Sequence, residues 1–269
     1  MSTPTPYSTQ SGCRTSHNRT GGDIVYQRIL LKLSGEALGK EANTTSADDT
    51  ASKTRPISPE TLARIAQDIA TLVTEGVQLG IVIGGGNWFR GSDSASMGLE
   101  RMTADHIGML ATVMNALALR DALVGQGLVV QLMSAVPIPG LATDFDSYSA
   151  QQHLQKRHVV IFAGGTGHPF VSTDSAASLR ALEIKADILL KATSVDGIYS
   201  ADPTQHPEAI LYSQLSYQQV LDSELGVMDL AAFCQCRDYG LPIRVFNINT
   251  PQGLVQIARG APIGTLVSA

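Results

Sequence analysis

Three apolar, β-favouring residues run without a break into three glycines at Ile81-Val82-Ile83-Gly84-Gly85-Gly86-Asn87. An unalternating apolar run reads as a strand buried on both faces, as in a parallel sheet covered by helices. Glycine lacks Cβ, so a triplet permits positive φ and lets backbone N–H groups converge on an anion. Arg90 follows three residues later, a planar donor fork suited to phosphate oxygens. In open α/β sheets, ligands sit beyond the carboxyl ends of the strands. Taken alone, the stretch is also compatible with a tight strand-to-helix turn that needs small residues.

The rest of the chain repeats the pattern. Apolar strands are expected at 28–33, 77–83, 128–132, 158–163, 186–191, 243–246 and 264–267. Helices are expected between them, at 58–75, 103–124, 147–156, 175–182, 217–225, 230–238 and 253–258. The first has clear start signals, with Ser58 as N-cap, Pro59 at the first helical position and Glu60 in the first turn. Its stripe is Leu62, Ile65, Ile69, Leu72 and Val73. In the long second helix, Ile107, Leu110, Val113, Met114 and Leu117 are the expected buried stripe. This alternation specifies an α/β protein with a mostly parallel sheet. Residues 1–25 read as a Ser/Thr-rich disordered tail, 26–269 as a single domain, and 39–56 as a polar insert.

Composition excludes several classes. The 269 residues carry a net charge of −5, which argues against a nucleic-acid partner. No unbroken apolar run reaches the roughly 18 residues of a membrane span. Three cysteines, Cys13, Cys234 and Cys236, form no disulfide framework and fit a cytoplasmic location. Cys234-Gln-Cys236 reads as two small thiols in a core, with half a metal site as the other reading.

An anionic substrate therefore needs a local basic site, and strand ends supply it. No Gly-x-x-x-x-Gly-Lys-Ser/Thr occurs, which removes the P-loop class. Gly84-x-Gly86 and Gly165-x-Gly167 begin like dinucleotide fingerprints, but Phe89 and Phe170 hold the third glycine position. What remains is Lys32 with Ser34-Gly35, the stretch Gly84 to Arg90, the stretch Gly164 to Asp174, and Lys191-Ala192-Thr193. A lysine within a buried strand is costly unless its charge has a partner, so Lys32 and Lys191 point to a shared anion. The other reading is that each snorkels to the surface. The set fits phosphoryl transfer, which needs positioning and charge neutralisation more than a nucleophile.

These stretches resemble the bacterial uridylate kinases of the amino-acid-kinase fold family. The match runs from about Tyr26 to the C-terminus. It rests on Lys32-Leu33-Ser34-Gly35-Glu36-Ala37-Leu38, Ile83 to Asn87, Asp105-His106-Ile107-Gly108-Met109, Thr166-Gly167 with Ser172-Thr173-Asp174-Ser175-Ala176-Ala177, Val227-Met228-Asp229-Leu230-Ala231-Ala232, and Leu241 to Asn247. The resemblance implies a three-layer αβα sandwich and phosphorylation of UMP by ATP with Mg2+. It also implies a cytoplasmic homohexamer in pyrimidine nucleotide biosynthesis, with GTP and UTP as effectors. It assigns Lys32, Leu33, Ser34, Gly35, Gly86, Arg90, Thr193, Tyr199 and Asp202 to ATP. Gly85, Asp105, Thr166, Gly167, His168, Pro169, Phe170, Val171, Ser172 and Thr173 go to UMP. The implied catalytic group is Lys32, Arg90, Asp174 and Lys191, with Asp174 ordering the lysines or helping to bind Mg2+. Read from sequence alone, Asp105 and Asp174 are equally compatible with helix N-caps.

Two stretches depart from the family pattern. Thr166-Gly167-His168-Pro169-Phe170-Val171 stands where the family commonly has Thr-Gly-Asn-Pro-Phe-Phe. His168 replaces that Asn, either through its side chain or through backbone alone. The polar insert after Gly39 replaces a short glycine-containing segment that the family links to GTP activation. Outside the uridylate kinases, two readings remain: a sister kinase acting on an amino-acid carboxylate, and a nucleotide-binding regulator without turnover.

Overall fold

The computed structural model describes residues 23–39, 56–89, 97–223 and 225–269. The expected tail lies outside the described residues up to 22, as do the core of the polar insert (40–55) and Arg90. Order begins slightly earlier than expected: Ile24 packs partly against the core and Val25 N donates to Ala258 O at 2.8 Å.

Nine strands form one sheet among the described residues. They are β1 (Arg28–Leu33), β2 (Gln78–Ile83), β3 (Val130–Ser134), β4 (Thr143–Asp144), β5 (Val159–Ala163), β6 (Ile188–Thr193), β7 (Gln214–Ser216), β8 (Ile243–Asn247) and β9 (Thr265–Ser268). The spatial order is β4-β3-β5-β2-β1-β6-β8-β9-β7, and only the β8–β9 pair is antiparallel. The helices are α1 (Pro59–Thr74), α2 (Arg101–Gly125), α3 (Ser147–Gln155), α4 (Thr173–Glu183), α5 (Tyr217–Asp222), α6 (Leu230–Asp238) and α7 (Gly253–Ala258).

The strand pleat sorts the core into two layers. Ile29, Leu31 and Leu33 of β1 meet α1, α2 and α7 on one face. Leu30 of the same strand, with Val82 and Leu189, meets α3, α4, α5 and α6 on the other. A central strand apolar at both parities is what this three-layer sandwich requires. Ser58 caps α1, its hydroxyl accepting from Thr61 N at 3.2 Å, and Ile65, Ile69, Leu72 and Val73 are buried as expected.

Three expectations need correction. Strands β4 and β7 are additional; both are short edge strands with largely exposed or polar residues. The buried face of α2 is a different one. Leu110 and Met114 are 50% and 44% exposed, while Ala104, Met109, Ala111, Thr112, Asn115 and Ala116 join Val113 in the interior. Helix α2 is also long and apolar enough to cross a membrane by length and composition. Here, however, its buried face supplies Val113, Ala116, Leu119 and Leu123 to the domain core.

The chain leaves β1 toward β2 on one side, and leaves its other neighbour β6 toward β7 and β8 on the far side. Strand order thus reverses at β1, and a crevice opens at the carboxyl ends of the strands flanking it.

Candidate active site

Lys32 and Lys191 are register partners on the adjacent parallel strands β1 and β6. Both are buried, which removes the snorkelling reading. Like charges side by side on a sheet repel, and Asp174 separates them. Its Oδ1 lies 2.8 Å from Lys32 Nζ and its Oδ2 lies 2.6 Å from Lys191 Nζ. Lys191 Nζ also donates to Val227 O. Burial alone would push the Asp174 carboxyl up, but the two ammonium charges outweigh it and hold the group below the usual carboxylate range. For Lys191, burial dominates and pulls the ammonium below its ordinary value, with Asp174 offsetting part of the effect.

Asp174 is held there by the start of α4. The N-cap is Ser172, whose hydroxyl accepts from Asp174 N at 3.2 Å and Ser175 N at 3.1 Å. The cap reading of Asp174 is therefore wrong. So is that of Asp105, which sits one turn inside α2, capped at Glu100.

The glycine triplet works by close approach, and none of its members has positive φ. A Cβ on Gly85 would lie 2.8 Å from both Ala111 Cβ and Gly108 O of α2. One on Gly86 would run into the Glu36 carboxylate, and one on Gly35 would lie 2.6 Å from Gly86 N. The two strand-end turns thus touch backbone to backbone. Asn115, fully buried on α2, ties down the one after β2. Its Nδ2 donates to Gly84 O and Asn87 Oδ1, both at 2.7 Å, and its Oδ1 accepts from Trp88 Nε1 at 2.8 Å and Asn87 Nδ2 at 3.0 Å. Positive φ is used instead in the turn after β5, at Gly164, Gly165 and Gly167. There Gly164 N donates to Thr112 Oγ1 at 2.7 Å, joining that turn to α2.

Three cavities lie along the crevice. The middle one, about 300 Å3, is lined by Lys32, Ser34, Glu36, Lys191 and Thr193. On one side lies a cavity of about 190 Å3, with Gly85, Gly86, Asp105, Thr112, Val171 and Thr173 in its wall. The Asp105 carboxylate is fixed by Arg101 Nε at 2.9 Å and accepts from Phe170 N at 2.8 Å. On the other side a cavity of about 520 Å3 includes Thr193, Tyr199, Asp202 and Val227. Thr204 donates its hydroxyl and backbone N–H to Asp202 Oδ1, holding that carboxyl below its usual range.

Not every anticipated residue reaches a cavity wall. Leu33 is fully buried in the core, and its carbonyl accepts from Gly84 N at 2.8 Å. Gly35 lies beneath the triplet. Thr166 and Ser172 use their hydroxyls on neighbouring backbone, at His168 N and at the α4 cap. His168 is exposed, its Nδ1 3.1 Å from Thr166 O. Gly167 and Pro169 shape the same turn without lining the cavity. Phe170 is exposed at the rim in left-handed conformation, with Arg101 5.7 Å from its ring centre.

The profile of the amino acid kinase family matches residues 27–247. The chain belongs to that family. It is 53% identical over 248 residues to the uridylate kinase of Coxiella burnetii, covering 92% of this chain and 97% of that protein. The uridylate kinase of Pseudomonas syringae pv. syringae is 52% identical, with 92% and 96% covered. The crystal structure of UMP kinase from Bacillus anthracis superimposes with a TM-score of 0.82 at 37% identity, over 90% of this chain and 96% of that one. The Ureaplasma parvum UMP kinase structure gives 0.80 at 32% identity, covering 90% and 99%.

Within this amino acid kinase, Thr112 and Asn115 went unnoticed in the sequence. The available signal was polar residues embedded among small ones, as in Ala111-Thr112-Val113 and Asn115-Ala116, on a helix that must approach a glycine turn. Cys236 is buried, its thiol pushed up to about 12, and Cys234 is half-buried. Neither belongs to a cluster of three or more His, Cys, Asp or Glu among the described residues.

Proposed function

We propose that the chain transfers the γ-phosphoryl group of ATP to UMP, giving UDP and ADP. The observation that carries this reading is the Lys32–Asp174–Lys191 centre, two cations sharing one carboxylate between two cavities. The centre keeps a net positive charge, which suits phosphoryl oxygens arriving from both sides. The uridylate kinase relatives supply the substrates. UMP takes the Asp105 cavity, where the fixed carboxylate accepts from ribose hydroxyls. ATP takes the Tyr199–Asp202 cavity, with its phosphates over Lys32, Lys191 and Ser34.

An oxygen of the UMP phosphate attacks the γ-phosphorus, and the bond from that phosphorus to the β,γ-bridging oxygen breaks. The bridging oxygen leaves with its electron pair on ADP. A nucleoside monophosphate is already largely dianionic at neutral pH, so the attacking oxygen needs no general base. Lys32 and Lys191 neutralise the oxygens between donor and acceptor, and Asp174 fixes both ammonium groups. Both carboxylate oxygens of Asp174 face lysines, so its role is to order them rather than to ligate Mg2+. Mg2+ entering with ATP would supply further neutralisation of the phosphate charge, leaving Asp174 to the lysines.

We also infer a homohexamer in the cytoplasm, responsive to GTP and UTP. Self-association is supported by the outward face of α2. Ile107, Leu110 and Met114 follow one another at three- and four-residue spacing there, the last two exposed, a seam suited to a second helix. Steady-state kinetics with UMP, varying ATP, with and without GTP and UTP, tests the activity and its regulation. Loss of UDP formation in every condition would overturn the reading. Sedimentation of wild type and Leu110→Glu tests assembly; a monomeric wild type would refute it.

A further inference from the structure

Away from the crevice, two histidines face each other at the opposite end of β5. His153 lies in the last turn of α3 and His158 immediately precedes β5. Their Nδ1 atoms are 3.0 Å apart, with ring centres at 5.3 Å and planes tilted by 41°. The backbone holds this geometry, because His158 N donates to His153 O at 3.0 Å. Both rings are half-buried, leaving solvent access.

We propose that His153 and His158 form a two-imidazole clamp for a divalent transition metal. Imidazole binds such ions through a nitrogen lone pair at about 2.0–2.1 Å. Two nitrogens 3.0 Å apart then subtend about 94° at the metal. A tetrahedral ion would need a separation of about 3.3 Å. The spacing matches two neighbouring positions of a tetragonal site, so copper(II) and nickel(II) fit better than zinc. With no metal bound and both rings neutral, one ring carries its proton on Nδ1 and donates it to the other. On binding, that proton moves through solvent to Nε2 of the same ring, and both Nδ1 lone pairs turn to the ion. The overall proton count is unchanged. No third His, Cys, Asp or Glu completes a cluster among the described residues, so water fills the remaining positions. Occupancy would fasten the end of α3 to the start of β5, whose far end carries the Gly164–Gly167 turn.

The test uses the full-length chain, stripped with chelator, with H153Q and H158Q variants. Nickel(II) is titrated by calorimetry, and copper(II) is observed by electron paramagnetic resonance. The expected result is one nickel ion per chain, with affinity at least about tenfold lower in each variant. The copper spectrum should show two equatorial imidazole nitrogens in the wild type and at most one in either variant. UDP formation should be equal in all three proteins, separating this proposal from the assigned activity. Wild type that takes up no nickel, or variants with unchanged titration and spectrum, would overturn it and leave a simple hydrogen-bonded pair.

Discussion

Replacing Asp174 by Asn keeps the side chain's size and removes one charge. At separations of 2.6 and 2.8 Å, each lysine–carboxylate attraction is about 6 kcal/mol at an effective dielectric of 20. Desolvation of three ions and repulsion between the register-paired lysines offset much of that. Removing the anion leaves two buried ammonium groups facing an amide, a loss of about 3–5 kcal/mol. For a domain of this size, Tm should fall by roughly 6–20 °C. Transition-state stabilisation suffers as well, because the lysines are no longer fixed around the phosphoryl group. We expect kcat to fall on the order of 100-fold, about 2.7 kcal/mol, with KM for UMP changed far less. MgATP should raise the Tm of the variant more than that of the wild type, since its phosphates replace the missing negative charge. Circular dichroism melting with and without MgATP reads the first and last effects. UDP formation well below both transitions reads the second. A variant with wild-type Tm and near-normal kcat would refute the reasoning, and equal stabilisation by MgATP would remove the lysines from phosphate binding.

Further outcomes follow from the same geometry. The depressed Asp174 carboxyl contributes stability that is present above its unfolded value near 3.8 and is lost as pH falls through the lower folded value; acid melting curves check this. Lys191 is lowered too, but burial there disfavours the charged form, so kcat should decline as pH rises toward 10.5, before a free lysine would titrate, while the cost of burying its charge is relieved. Asn115→Leu strands Gly84 O, Asn87 Oδ1 and Trp88 Nε1, while Asn87 Nδ2 keeps Pro56 O; we expect a loss of on the order of 2–4 kcal/mol by denaturant unfolding, with lower kcat/KM for both substrates. Gly35→Ala places a methyl group against the Gly86 backbone and should lower kcat/KM by about 100-fold or more; unchanged kinetics would show that the two turns can separate.

Much of the architecture was legible because a buried parallel strand writes itself as an unbroken apolar run ended by glycine. β1, β2 and β5 run in this way into Gly35, Gly84 and Gly164, and the helices show by their apolar periodicity and caps, while Thr143–Asp144 and Gln214–Ser216 carry no such mark. Those two pair at the sheet's edges, where tertiary position rather than local pattern makes a strand. The face of α2 was misjudged for a related reason. Large residues at helical spacing look like core, yet Gly85 admits α2 so closely that only small residues such as Ala111 fit. Leu110 and Met114 are left to face outward. The charges of the site were legible because a lysine within a buried strand demands a partner. Asn115 was not, because a single amide in an apolar helix has no periodic signal, and its partners lie 28 and 31 positions away.

The most direct measurement is transfer from γ-labelled ATP to alternative acceptors under identical conditions. UMP, CMP and N-acetylglutamate present, respectively, a uracil nucleotide, the opposite pattern of ring donors and acceptors, and a carboxylate. A site built around the Asp105 cavity should give labelled UDP in one-to-one yield with ADP. It should give CDP at a kcat/KM lower by several orders of magnitude, and no labelled acyl phosphate. Label on N-acetylglutamate, or comparable kcat/KM for UMP and CMP, would contradict the account.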